Sequence, residues 1–542
     1  MSLRKHLILP SIVFALALLA GCNTSNTVTT NNNGYSNTDF SGTYVFSFSG
    51  TDVNLTAQTQ SFFAIAGTIT ADGKGHIQSG TVDINDANIG GVFTAQALTA
   101  STYSVSQDGR GTGTLVTPQG TFGLDFVMTS DSGGLISRFD SNGSGSGTFA
   151  LQGTATQGSL SGLAFTLFGT DASFNFLGSV GAFTLNGSGV IQSGLEDFND
   201  AGAGTDTQTL TGSLVLSSNT AGTAAFDTSF APGLTFDVWV VDSTHLKLIE
   251  TDTTGPALVG DAFPQASTFP AGQLVFSMAG GSLSSGNPIA TGGFVTTDAN
   301  GNLSNGTEDY NNAGTTGTIS DPPFSGSCNA TAPFAGDRCE LTTSVFTNGN
   351  QGNLVFAAYP STAGVLLLED DGSGFLQGAA YAQSATAFGA PEGYALNLSG
   401  FNSNGVADSE VDDIAQFNAT STNLTGVLDE NDVASALITA NLNGTYTAPA
   451  SGRGTISATT NGTYVGGLSL GYYVIGSSAT LVIEGDQQQV TTGVFELQSS
   501  PGSSVSKAVK PQEAQTAAAA QSIVSLVRPF GRAKLTPKHF NK

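Results

Sequence analysis

The chain has 542 residues, room for several ordinary domains, and only 10% of them are charged, against roughly 25% in an average soluble protein. Its net charge is −26, and between residues 23 and 500 six cations face forty acids, a surface that repels phosphate backbones and excludes nucleic-acid binding through the body of the protein. Seventy-one glycines, a single Trp and a background of Ser, Thr and Asn describe a secreted β protein, not a helical cytosolic enzyme.

Arg4 and Lys5 precede an apolar run from Leu7 to Leu19. The run is too short to cross a bilayer as a stable helix and fits a secretory signal. It ends in Leu19-Ala20-Gly21-Cys22. This tetrad resembles the lipobox of bacterial lipoproteins. The resemblance implies that residues 1–22 are a signal peptide and that Cys22 is acylated, becomes the mature N-terminus and holds the protein to a lipid bilayer in the cell envelope. In that family's pattern an Asp after the Cys favours the inner membrane; Asn23 stands here, which implies the outer one. Residues 23–38 are mostly Asn, Thr and Ser and read as a flexible polar tether.

The body is one unit written four times. An alternating strand closed by Gly recurs as Tyr44-x-Phe46-x-Phe48-x-Gly50, Leu163-x-Phe165-x-Leu167-x-Gly169, Leu274-x-Phe276-x-Met278-x-Gly280 and Tyr394-x-Leu396-x-Leu398-x-Gly400. An acidic turn follows in each copy: Asp83-Ile84-Asn85-Asp86, Asp197-Phe198-Asn199-Asp200, Asp309-Tyr310-Asn311-Asn312 and Asp429-Glu430-Asn431-Asp432. An acidic strand end comes last, at Asp140, Asp252, Asp371 and Asp486. The repeats are assigned to 39–153, 154–266, 267–384 and 385–500. Within each, period-two alternation in short runs is punctuated by hairpin turns such as Asp72-Gly73-Lys74-Gly75 and Asn186-Gly187-Ser188-Gly189. The fold class is all-β: four tandem antiparallel domains of about 115 residues, meander barrels reminiscent of avidin- or lipocalin-like units, with β-sandwiches as the alternative. Each unit is long enough to bury its own core, so the copies are expected to be bead-like. Residues 501–542 form a basic, Ala-rich tail with seven cations and one acid, disordered or partly helical, suited to anionic polymers, lipid headgroups or the acidic body of the same protein.

Catalytic constellations are not found. His76 and His245 adjoin turns in different repeats and read as surface hairpin residues without a metal-ligand partner. Gly467-Leu468-Ser469-Leu470-Gly471 matches a nucleophile elbow by spacing but falls inside a strand pattern. Asp131-Ser132-Gly133 occurs once, whereas the aspartic protease chemistry needs two such triplets. Cys328 and Cys339, in an insertion of the third repeat, are expected to pair in an oxidising envelope. Trp239 lies on the strand face opposite Phe236, Val238 and Val240, as a ligand platform or an interface residue. Each acidic turn gathers oxygen-bearing side chains that suit a weak Ca²⁺ site or, more plainly, Asx-turns; no other cofactor is expected. These readings make the chain a lipid-anchored tandem array with a structural, adhesive or binding role and an unidentified envelope polymer or protein as partner. The alternatives are small-molecule binding by calycin-like barrels and a carboxylate-dependent glycan hydrolase.

Overall fold

Alternation decides the strand faces. Tyr44, Phe46 and Phe48 point to one side of a strand and pack with Phe63, Ile65, Phe126 and Phe149 as the core of the first repeat. In the computed structural model, which describes residues 34–54, 59–228, 233–283, 287–298, 300–320, 326–330, 338–347, 350–402, 409–433, 436–460 and 467–501, this repeat runs β1 (Ser41–Asn54), β2 (Thr59–Asp72), β3 (Ile77–Asp86), β4 (Gly91–Ala97), β5 (Thr102–Val105), β6 (Arg110–Thr117), β7 (Gly120–Ser130), β8 (Gly133–Asp140) and β9 (Gly143–Leu151). Every pairing is antiparallel, in the order β4-β3-β2-β1-β9-β8-β7-β6-β5. The first residues of β3 close the wall against β5, where Ile77 N–H donates to Ser101 O at 3.0 Å and His76 bridges Thr102. The unit is therefore an eight-stranded up-and-down barrel whose fourth strand is split, with β4 paired only to the last residues of β3.

The other copies repeat this plan. In barrel 3 the third strand, Asn302–Asn312, pairs with the second, Pro288–Thr297, and with the fifth, Gly326–Ala330. Barrel 4 has an unsplit fourth strand, Ala436–Tyr446, and its eight strands close completely. The Gly that closes each landmark motif lies within the strand, not at its end, and has a steric cause. A Cβ on Gly50, Gly169, Gly280 or Gly400 would fall 2.1, 1.7, 1.6 or 2.0 Å from a carbonyl oxygen of the barrel's last strand. Only glycine lets these two strands approach so closely.

Each barrel carries an aromatic and aliphatic core of its own. Little room is left in two of them: the space inside barrel 1, among Phe40, Phe46, Tyr103 and Phe149, is about 20 Å³, and that in barrel 3 about 30 Å³. That is room for one water each, not for a ligand.

A further apolar cluster belongs to no single barrel. It joins Phe62, Ala64 and Leu135 of the first repeat to Phe168, Val180 and Ile249 of the second, Val275, Tyr359 and Leu366 of the third, and Ile414, Tyr473 and Leu481 of the fourth. The bead-like expectation thus needs correction, because the outer faces of the sheets are apolar as well and must be covered. The first strands of each barrel pack on the last strands of the next, and barrel 4 packs in the same way on barrel 1. Four barrels close into a ring. The linkers show the same cycle. Gly153 N–H donates to Val241 O, Ala266 to Pro360 O, Ser384 to Ile475 O and, across the closure, Ser499 to Thr129 O, at 2.6–3.0 Å. The end of the expected tether also belongs to the fold: Tyr35 is buried and its hydroxyl donates to Ser499 O at 2.5 Å.

Candidate functional site

The four acidic motifs are the most regular polar feature of the ring, and they are not turns. Each forms the last residues of its barrel's third strand: β3, Ile191–Asp200, Asn302–Asn312 and Asn423–Asp432. Strand alternation sends the first Asp and the Asn to the outer face, against the neighbouring barrel, and the residue after the Asn to the opposite face. There Asp86 and Asp200 accept from the Asn88 and Gly202 N–H groups, at 2.8 and 2.7 Å, as turn-capping residues do. The three candidate ligands of each motif, split between two faces, do not converge on one ion. Among the described residues no group of three or more His, Cys, Asp or Glu is placed to hold a metal.

The Asn is a peg into the next barrel. Asn199 Nδ2 donates to the carbonyls of Glu369 and Gly374 at 2.8 and 3.0 Å. Asn311 reaches those of Glu484, Asp486 and Gln489 at 3.1, 3.0 and 2.7 Å. Asn431 closes the ring on the carbonyls of Arg138, Asp140 and Gly143 at 2.9, 3.3 and 2.8 Å. Asn85 binds the Glu250 carbonyl at 3.3 Å and its carboxyl at 2.7 Å. In every case the receiving groups belong to the hairpin between the last two strands, which carries the acidic strand end.

The first Asp of each motif meets a donor from that same neighbour. Arg338 grips Asp197 through Nε and Nη2 at 2.7 and 2.6 Å, and the Tyr359 hydroxyl donates to the same carboxylate. Arg453 holds Asp309 at 3.0 and 2.7 Å, joined by Tyr473 at 2.5 Å. Arg110 stands 3.6 Å from Asp429. These arginines occupy one position, at the start of the strand that follows the fourth-strand region: the sixth strand in barrels 1 and 3, the fifth in barrel 4, whose fourth strand is unsplit. In barrel 2 that position is Ala221, paired across the ladder with Trp239, and here the Trp239 Nε1–H donates to Asp83 at 2.9 Å. Trp239 is half-buried between barrels 1 and 2. Burial, and then the facing Asp237 charge, push the Asp83 carboxyl up.

His245 is corrected from a surface residue to a buried one: it stacks on Phe263, and its Nε2 lies 2.7 Å from Asp261 Oδ1. Beside it Lys247 is fully buried and donates to Asp261 at 3.2 Å and to Ser47 and Thr148 of barrel 1 at 3.0 and 2.9 Å. An ammonium in a dry interface needs three such acceptors. The sequence signal was the scarcity of cations: Arg110, Lys247, Arg338 and Arg453, four of the six in the body, each serve a different seam.

Inside the barrels further carboxyls are buried. Burial raises Glu196 to about 7 and Glu308 to about 8, with Ser179 and Thr291 hydroxyls as their donors. Glu250 and Glu369 go up to about 9 and about 8, again by burial first. Barrel 1 has Arg138 at the corresponding end, held by Asp52 and Asp140 at 2.8 and 3.0 Å.

Ser469 lies within the strand Leu468–Gly476 and its N–H donates to Glu484 at 2.9 Å, with no helix following. Asp131 and Ser132 form the β7–β8 turn, where the Asp131 carbonyl accepts from Tyr44 at 2.8 Å. Cys339 is buried and disulfide-bonded; the Cys328 side chain lies outside the described residues, as do Cys22 and the tail from residue 502.

No protein-family model matches the chain, and no curated protein matches it. Among solved structures it is similar to a double mutant of Transferrin Binding Protein B (TbpB) from Haemophilus parasuis Hp5, at 13% identity and a TM-score of 0.18, over 69% of this chain and 82% of that one. Intact Ap-TbpB, with its N and C lobes, is similar at 9% identity and a TM-score of 0.17, over 68% and 84%. A single mutant of the Haemophilus parasuis protein gives 12% and 0.18, over 67% and 83%. At such identities and scores the likeness says nothing about what this chain binds.

Proposed function

We propose that the chain is a lipid-anchored scaffold of the bacterial cell envelope, attached through Cys22 on the outer membrane, that binds an envelope polymer or protein through the outer surface of its ring. One observation carries this reading: barrels whose interiors are filled by their own aromatic residues are locked to one another by a repeated Asn peg. Rigidity is what the repeated residues supply, and a rigid repeated surface favours multivalent binding, since linked sites gain avidity without new contacts. The small spaces inside barrels 1 and 3 disfavour ligand storage there.

Tyr35 and Ser499 are hydrogen-bonded, so the anchored end and the basic tail leave the ring at one point. This supports an arrangement in which seven tail cations face anionic headgroups beside the acyl chains. The test is cosedimentation of the delipidated protein with purified peptidoglycan and with lipopolysaccharide, combined with an assay for released reducing ends. Saturable binding without release supports the scaffold. Release of reducing ends favours a hydrolase, and absence of binding to either polymer removes the polymer partner. Replacing Cys22 with Ser is expected to move the protein from the membrane to the soluble fraction.

A further inference from the structure

Three of the four seams are spanned by the peptide chain; the seam between barrels 4 and 1 is held by side chains and by the segment 498–499. Gln498 Nε2 donates to the carbonyls of Asp108 and Met128, both at 2.9 Å, and Ser499 N–H to Thr129 O at 2.8 Å. This seam also has the weakest cation contact of its class, Arg110 to Asp429 at 3.6 Å, against 2.6 Å and 2.7 Å for Arg338 and Arg453.

Two carboxyls fill its centre, both from barrel 4's second strand, Glu410–Thr420. Asp412, 1% exposed, accepts from the Ser144 and Ser146 hydroxyls of β9 at 2.5 and 2.7 Å. Glu410, 3% exposed, lies against Gly50 and Thr51 of β1, and its Oε2 has no hydrogen-bond partner among the described residues. The other neighbours of the pair are Asn397, Ser399 and Asn431 of barrel 4. The nearest titratable groups are Asp413, on the inner face of the same strand, and Asp432, bound to Asn402 and Ser409. Arg138 is engaged inside barrel 1 by Asp52 and Asp140, and Asp108, Asp125 and Asp429 surround Arg110. No cation faces the pair among the described residues.

We propose that the seam between barrels 4 and 1 is a proton-operated clasp, closed while Glu410 and Asp412 share a proton and opened when that proton is lost. With one proton, Glu410 donates to an Asp412 carboxylate that already accepts from two serines. Without it, two negative charges occupy a dry interface that offers only hydroxyl and backbone groups. Burial, and then the charge of Asp412, hold Glu410 well above the usual carboxylate range, and burial raises Asp412 as well. The other three seams stay joined by the chain, so loss of the clasp opens the ring without separating the barrels.

The experiment is small-angle scattering of the full chain from pH 5.5 to pH 10, with circular dichroism on the same samples. The expected result is a reversible increase in radius of gyration at alkaline pH, with the β signal retained. Glu410→Gln keeps a donor toward Asp412 and is expected to remain closed throughout; Asp412→Asn, a second variant that removes the other charge, is expected to do the same. An unchanged radius to pH 10, expansion of both variants like the wild type, or expansion only together with loss of the β signal would overturn the clasp.

Discussion

An asparagine and an aspartate two residues apart do different work on the same strand face. The amide can donate to carbonyls of a hairpin that has already used its N–H groups, which a carboxylate cannot do; the carboxylate instead takes Arg or Trp from the same neighbour. Removing the amide leaves buried carbonyls unpaired, a cost of about 1–3 kcal/mol. Asn311→Ala, which strands three carbonyls, is therefore expected to lower the denaturation midpoint, and Asn311→Asp to lower it further, because a carboxylate would face those oxygens. Urea titration of both variants checks the order. The motif itself was visible in the sequence as a repeated Asp-x-Asn, but its assignment as a turn came from residue type alone. Asn and Asp favour turns when nothing else satisfies them; here the partner that overrides the preference lies more than 160 residues away.

At the scale of the strand, both faces of the sheet are buried, one inside the barrel and one against a neighbour. Strict alternation in β1 reveals the inner face, while residues such as Phe62, Ala64 and Ala66 of β2 cover the outer one. A fragment of residues 34–153 contains the whole inner core of barrel 1 but exposes that second face on both sides. It is expected to acquire β structure and to self-associate, binding a hydrophobic dye that the full chain does not bind. Sedimentation velocity across a concentration series checks this; a monodisperse monomer would mean that the outer face contributes little. Apolar residues on an outer face are legible as extra hydrophobicity in the sequence. Which neighbour covers them is not.

For the molecule as a whole, the buried carboxyls set an unusual pH dependence. Glu196, Glu250, Glu308, Glu369 and Glu496 are raised to between about 7 and about 9. An acid raised on folding binds its proton more tightly in the native state, so its stabilisation is complete below its unfolded pKa of roughly 4 and is lost as pH rises through the native value. The melting temperature is therefore expected to be highest near pH 4–5 and to fall steadily towards pH 9, and calorimetry across that range measures it. A ring also makes its covalent opening arbitrary. A circular permutant that begins at residue 154, with residues 501 and 34 joined by a short glycine-serine linker, is expected to keep the native hydrodynamic radius, because Tyr35 and Ser499 are already in contact. Analytical gel filtration decides it; an expanded permutant would place the ring's integrity in the chain order and not in its interfaces.

Period-two alternation, turn residues and a 111–120-residue repeat determined by themselves that this is a four-fold all-β protein, because these are local properties of a strand and its hairpin. The same local signals placed Tyr35 in a tether, His245 on a surface and the acidic motifs in turns. Only the tertiary structure decided that the four barrels share a core, that four scarce cations each serve a different seam and that the last barrel returns to the first. The reason is physical: a strand's inner face is completed by residues of its own repeat, whereas its outer face is completed by a surface whose position depends on how the whole barrels pack, and no spacing along the chain encodes that.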